Sequence, residues 1–509
     1  MRGGEGFSLP SSGWSDPGGP LHRRTAALLR AGYLILAGWV IAAAVQFQYL
    51  TMRQAGKAAP PPASQARGRA GASASQEQLP EKATKGAIGR WRKAVRHFWA
   101  GENIYLPVGQ AVQGGVALHP NMPFVVILLT PFAYLPIWAM ALGFNLLKLA
   151  TIAAAVFLCV RLAGQANWRT PQWAVLLALL WSVKPIVADI QHGNTNVFVL
   201  GALALHLWLY RRGWDLASGA ALAPAVCLKL TPALFLGYWL YQRNWRLLAG
   251  AVAALLLLVA VIPPAAVGPA HGLELTRTWW DNLVVPGGVE GSWYPIHVNQ
   301  SIIGVVGRYF LDGPGGDIFW GPDDNPYSSQ KEHGWITLVA LAEWGTKLIV
   351  RILQLALLAG AAWAIGWRKL PRDDARRMLH YALVLLGMML LNQRTWGHHA
   401  AVLLIANFGI WQAIASGNIS PPARQWALGL AIAAGACMWL NAGGAWVALA
   451  WLAGRSVEVG KAWADRLDAY GPTFYYFLLL FIAATILAGA LRRSRAPDAQ
   501  SCGLDASGR

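Results

Sequence analysis

Residues 173–210 read WAVLLALLWSVKPIVADIQHGNTNVFVLGALALHLWLY: an apolar run over 173–190, a polar run from Gln191 to Asn196, and a second apolar run over 195–210. Each apolar run is close to the ~20 residues with which a helix crosses a hydrocarbon core of ~30 Å. The crossings must be helical, because an open sheet would leave backbone N–H and C=O groups unpaired in lipid. Similar runs recur at Ala251 to Val261, Leu383 to Leu391 and Phe477 to Leu487.

The composition agrees. Of 509 residues 56% are hydrophobic and 13% charged, with 27 tryptophans, against roughly a quarter charged in soluble domains. Trp208/Tyr210, Tyr238/Tyr241 and Trp279/Trp280 fall at the ends of apolar runs, as aromatic belts do at a membrane interface. The expected fold class is an all-α polytopic membrane protein.

The net charge of +19 invites a nucleic-acid reading. The basic residues, however, lie in short clusters between apolar runs, as cytoplasmic loops carry them. No basic soluble module or aromatic-interleaved patch accompanies them, so the expected partners are membrane lipids and not nucleic acid. Cys159, Cys227, Cys437 and Cys502 are scattered and suggest neither a disulfide framework nor a metal site. His22, Arg23, Arg24 and Arg30 precede an apolar run reaching Leu50, which is too long for a cleaved signal peptide and reads as an uncleaved first span.

Placing the basic clusters at 23–24, 161–169, 211–212, 243–246, 368–377 and 492–495 in the cytoplasm sets the orientation. The spans then alternate: 31–50, 138–162, 173–190, 195–210, two short passes within 215–241 that turn near Lys229, then 246–262, 336–366, 378–393, 399–416, 425–451 and 473–491. Both termini lie inside, and 122–136 is left as a re-entrant or interfacial helix. The domain plan is a cytoplasmic tail over 1–30, a membrane domain over 31–492 and a second tail over 493–509. Within it, 51–85 is a linker too poor in large apolar residues to fold, and 86–121 carries an outer-loop helix with Trp91, Val95, Phe98 and Trp99 at helical spacing. Residues 263–335 form a large outer loop.

The unusual polar residues gather on the outer side in this topology: Glu102 and Asn103, His119 and Asn121, Gln191 to Asn196, Lys229, His297 to Ser301, and Asn392 to His399. Ionisable residues at a membrane edge are costly and default to functional candidates. Gly193, Asn194 and Asn196 read either as a tight turn or as ligands. Lys229, in a largely apolar stretch, needs an anion or carboxylate partner. His398 and His399 begin a helix, whose free amides favour an anion such as phosphate; a metal site is disfavoured because adjacent histidines diverge and no third ligand is suitably spaced. Asn299, Gln300 and Ser301 read either as an N-cap for a helix over Ile302 to Phe310 or as sugar ligands.

At these residues the chain resembles the integral-membrane glycosyltransferases of family 87, formerly DUF2029. The matching stretches are His192-Gly193-Asn194-Thr195-Asn196, Arg211-Arg212-Gly213, Leu228-Lys229-Leu230-Thr231-Pro232, Asn299-Gln300-Ser301 and Trp396-Gly397-His398-His399, with Gly101 to Tyr105 and His119-Pro120-Asn121-Met122-Pro123 before them. The resemblance covers about residues 30 to 420. It implies a GT-C fold with about 10–13 transmembrane helices, and transfer of a hexose, typically mannose, or of arabinose from a polyprenyl-phosphate sugar to a lipid or glycan acceptor at the outer face of the cytoplasmic membrane. It implies no cofactor and no metal. By position, Lys229, His398 and His399 would bind the donor phosphate, and Asn194, Asn196, Asn299, Gln300, Ser301 and His119 the sugar or acceptor. One departure stands out: where the family places a catalytic aspartate, residues 85–90 read KGAIGR, with no carboxylate. Transfer to a hydroxyl needs a general base, and Glu102 is the expected candidate, with a solvated cap as its alternative. A glycolipid-binding or transport protein without catalysis is the competing expectation.

Overall fold

The computed structural model describes residues 20–57, 87–107, 110, 116, 119–164, 170–289, 293, 295–311, 336–440 and 442–493. Residues 1–19, 58–86 and 494–509 lie outside the described residues, so of the expected N-terminal tail over 1–30 only 20–30 is described, as the start of α1. The first residues of the linker expected over 51–85 are helical, since α1 (Pro20–Lys57) continues through Thr51 to Lys57.

In chain order there follow α2 (Ile88–Trp99), the short α3 (Pro123–Leu128) and α4 (Thr130–Ala133), α5 (Ile137–Ala163), α6 (Gln172–His192), α7 (Asn196–Arg211) and α8 (Asp215–Leu228). The second half holds α9 (Leu234–Tyr241), α10 (Trp245–Leu256), α11 (Ile262–Val267), α12 (Pro269–Trp279), α13 (Ile302–Phe310), α14 (Glu343–Ile365), α15 (Arg376–Leu391), α16 (Leu404–Ala415), α17 (Pro421–Leu440), α18 (Gly443–Leu452), α19 (Val457–Ala469) and α20 (Pro472–Arg493). Leu311 and Leu341 form an isolated β-bridge, and the described residues contain no strand.

Among the described residues, seven helices are long and apolar enough to cross a membrane: Thr25–Arg53, Ile137–Ala163, Gln172–His192, Trp245–Val267, Glu343–Ile365, Gly397–Ala415 and Val457–Arg493. Asn196–Arg211 and Asp215–Leu228 are shorter apolar helices. The chain is an all-α, multi-pass membrane protein.

Several expected boundaries are corrected. The span over 425–451 is a bent pair, α17 and α18, meeting at 61°, next to Gly443 and Gly444. The span expected from 336 begins at Glu343, because the preceding residues pair with the end of α13 through Leu338 N–H to Tyr309 O at 2.9 Å and Leu341 N–H to Phe310 O at 2.8 Å. In keeping with its expected non-crossing character, the segment 122–136 forms α3 and α4, with 6 and 4 residues; at about 1.5 Å per residue neither can cross. On α2, Trp91, Val95 and Phe98 are buried, but Trp99 stays exposed and donates its indole N–H to Thr130 Oγ1.

The bundle centre is α15 and α16, nearly every residue of which is buried. Close crossings use glycine. A Cβ on Gly219 would lie 2.0 Å from Leu247 O, and one on Gly250 2.3 Å from Leu216 O, so α8 and α10 meet backbone to backbone as small-residue interfaces in membranes do. The loop before α15 is tied to the base of α8, where Arg372 grips both oxygens of Asp215 at 2.6 and 2.8 Å, a bidentate pairing.

Candidate functional site

The polar run between α6 and α7 is folded by its own sequence. Gly193 ends α6 in the left-handed conformation, φ +62°, which glycine adopts without a Cβ penalty. A Cβ there would come within 3.1 Å of Ile88 and Phe47, so the turn seats against α1 and the start of α2. Ala87 N–H completes that seat by donating to His192 O at 2.8 Å. Asp189, one turn back in α6, accepts from both the backbone and the side-chain N–H of Asn196 at 3.2 and 2.8 Å. A carboxylate thereby caps the N-terminus of α7, where it meets free amides and the positive dipole end.

Asp189 is wholly buried, and so is its counter-ion. Lys148, from the middle of α5, reaches Asp189 Oδ2 at 2.9 Å and its backbone carbonyl at 2.8 Å. Lys229, just past α8, donates to Asn196 Oδ1 at 2.7 Å. Its expected partner was an anion or a carboxylate; the partner is instead a neutral amide, itself polarised by Asp189. Four neighbouring elements therefore contribute a chain from Lys148 through Asp189 and Asn196 to Lys229. Two cations share one carboxylate, and Lys229 is the half-exposed end.

The histidines close the other side. Asn194 Oδ1 accepts Thr195 N–H at 2.8 Å, which orients its amide so that Nδ2 faces His398 Nε2 at 2.9 Å. His398 Nε2 is then an acceptor, and the ring proton belongs on Nδ1. His399 Nδ1 accepts Trp396 N–H at 3.3 Å, and its ring lies parallel to the Trp396 indole. The rings of His192 and His399 each lie 4.7 Å from that of His398. Among the described residues no group of three or more His, Cys, Asp or Glu side chains could hold a metal ion.

The structure thus brings Asn194, Asn196, Lys229, His398 and His399 together. Three expected sugar ligands are committed elsewhere. Asn299 Oδ1 accepts from Thr395 N and Ser301 N at 2.9 and 3.2 Å, and its Nδ2 donates to Gln393 O at 2.8 Å. Gln300 donates to His297 O and Asp468 O at 2.7 and 2.9 Å and accepts Phe474 N–H. Ser301 caps α13, which runs from Ile302 to Phe310 as its capping reading requires, by accepting Gly304 N–H at 3.2 Å. All three are buried. They brace the loop that precedes the histidines.

Glu102, the expected base, pairs with His97 at 2.6 Å at the end of α2. His119 is buried against Trp91, ring centroids 5.4 Å apart, and both its Nε2 and Trp91 Nε1 lack partners among the described residues. Burial, with the Arg90 guanidinium nearby, pushes His119 down to about 3. Asn121 holds the end of α8 through Leu228 O at 2.9 Å, one residue before Lys229.

Sequence reasoning missed Lys148, Asp189 and His192. The first two carried a signal, since each is an ionisable residue inside an apolar helix. His192 was quoted within its motif without being singled out.

A family model described as glycosyltransferase family 87 matches residues 121–393, more than half of the chain. No curated protein matches. Solved structures of ArnT from Cupriavidus metallidurans are similar: the apo state at 16% identity with a TM-score of 0.33, and the form bound to undecaprenyl phosphate at 17% with 0.30, each match covering 80% of this chain and 73% of that one.

Proposed function

Because the chain belongs to glycosyltransferase family 87, we propose that it transfers a hexosyl group, of the mannosyl type, from a polyprenyl-phosphate sugar to a lipid or glycan acceptor at the outer face of the cytoplasmic membrane, on a GT-C fold and without a metal or cofactor. The observation that carries this reading is the charge balance around Asp189. Lys148 already neutralises that carboxylate, so the charge of Lys229 is left over at the half-exposed end of the chain. A leaving lipid phosphate needs a preorganised cation and N–H donors where its charge develops. Lys229 supplies the cation, and His398, with its proton on Nδ1, supplies a neutral donor beside it. The apolar helices around the site suit a lipid tail.

The test is transfer of radiolabelled sugar from a polyprenyl-phosphate donor by the protein in liposomes. Lys229→Met is expected to lower transfer at least ~100-fold, the scale on which single charge-stabilising groups act, while Lys229→Arg keeps part of it. Normal transfer by Lys229→Met overturns the assignment. The second reading, a glycolipid-binding or transport protein without catalysis, is favoured by one observation: Glu102 and Asp189 are both already paired. Binding of undecaprenyl phosphate without transfer of any sugar by the wild type would select it.

A further inference from the structure

Lys148 sits in the middle of a membrane-crossing helix with 1% of its side chain exposed, out of reach of any ligand. Stability does not account for it, because a buried ion pair contributes little net of desolvation and well-packed apolar residues commonly do as well. Its contacts account for it better. Besides Asp189 Oδ2 it holds the Asp189 main-chain carbonyl at 2.8 Å, and that same carbonyl accepts Asn194 N–H at 3.2 Å. Both arms of the site therefore hang from Asp189. Its carboxylate leads through Asn196 to Lys229, and its carbonyl fixes the residue whose side chain meets His398.

Between these neighbours Asn196 has one permitted orientation. A carboxylate only accepts hydrogen bonds and an ammonium only donates them, so Asn196 must turn Nδ2 to Asp189, at 2.8 Å, and Oδ1 to Lys229, at 2.7 Å. Charge follows the same path. Lys148, Asp189 and Lys229 carry two positive charges and one negative, so the group is singly positive. Without Lys148 it would be neutral, and the amide would tie Lys229 to a carboxylate that has no other counter-ion.

We propose that Lys148 is a positioning residue of the donor site, an inference that rests on the donor reading given above. From a place the ligand never touches, it neutralises Asp189 and holds the turn that carries Asn194. The donor phosphate then meets a cluster of net positive charge, presented by Lys229 at its half-buried end, with His398 held beside it. Asn196, in this arrangement, is the link between Asp189 and Lys229.

The experiment measures, on folded full-length protein in nanodiscs, the affinity for undecaprenyl phosphate and for undecaprenol, which has the same tail without the phosphate. A merely structural role would move both affinities alike, whereas a role in positioning charge moves their ratio. Lys148→Met is expected to lower the preference for the phosphate at least ~10-fold, as loss of one buried partner in a charge network does. In Lys148→Met/Asp189→Asn the cluster is singly positive again, and the preference should return to within about threefold of the wild type. If Lys148→Met yields no folded protein, Lys148→Gln, which keeps N–H donors for Asp189 without the charge, is held to the same ~10-fold criterion. A smaller loss, or a double variant that does not recover, overturns the proposal. A wild type without a phosphate preference, or a preference that Lys229→Met leaves intact, overturns the donor reading instead.

Discussion

Lys148→Met is the most exacting probe of the arrangement at α5, α6 and α7. Both partners of the pair are essentially inaccessible, with 1% and 0% of their side chains exposed. At 2.9 Å and an effective dielectric of ~20, the gross attraction is about 6 kcal/mol, which desolvation of the two ions largely offsets. The net worth of the pair is therefore small, but the cost of breaking it is not. Removing the ammonium leaves Asp189 buried with the N–H groups of Asn196 as its compensation, and such orphaned charges cost about 3–5 kcal/mol. Methionine nearly matches the volume of the lysine stem, so little of that loss comes from packing. Asp189→Asn alone should also be costly, since its one amide oxygen can replace either Oδ1 towards Asn196 or Oδ2 towards Lys148 but not both, and the buried ammonium loses its counter-charge. In the double variant Lys148→Met/Asp189→Asn no net charge is buried, and stability should return to within about 2 kcal/mol of the wild type. Reversible unfolding in mixed micelles would give the cycle. A coupling energy of ~2 kcal/mol or more is expected. Strict additivity within ~0.5 kcal/mol, or a Lys148→Met cost below ~1 kcal/mol, would refute the claim that these two residues form one buried unit.

Gly219→Ala should destabilise the α8–α10 crossing by about 1–3 kcal/mol, because its Cβ would meet Leu247 O at 2.0 Å, whereas Gly237→Ala, with nothing within 4 Å, should be neutral by the same unfolding measurement. Acid should weaken the protein through His119, whose value falls from an unfolded 6.5 to about 3 when folded. Above pH 6.5 both states are neutral there and no stability is at stake. As pH falls towards 3 only the unfolded state takes the proton, removing about 1.4 kcal/mol per pH unit. His119→Phe should flatten that part of the stability–pH curve, and an unchanged slope between pH 6 and 4 would count against a buried neutral His119.

The membrane class could be read from residues 173–210 because lipid imposes one local rule, an apolar run long enough to cross with all its backbone paired internally. Capping was equally local: Ser301 meets Gly304 three residues on, and the helix over Ile302–Phe310 begins where the side chain requires. Asn299 and Gln300 illustrate the opposite case. Besides the local contacts to Ser301 N and His297 O, their partners lie 94, 96, 168 and 174 residues away, and adjacency along the chain carries no trace of those. Glu102 is a nearer case, as its carboxylate contacts a histidine five residues back.

The sequence by itself therefore determined the solvent, the helical architecture, most span positions and the family, since these follow from composition, periodicity and short motifs. Only the tertiary structure decided which polar groups pair with one another. Lys148 and Asp189 are separated by 41 residues and cancel each other only because α5 and α6 bring them to one level. That long-range cancellation leaves Lys229 with charge to spare, and the seat of the α6 turn on α1 and α2 leaves His192 exposed beside His398.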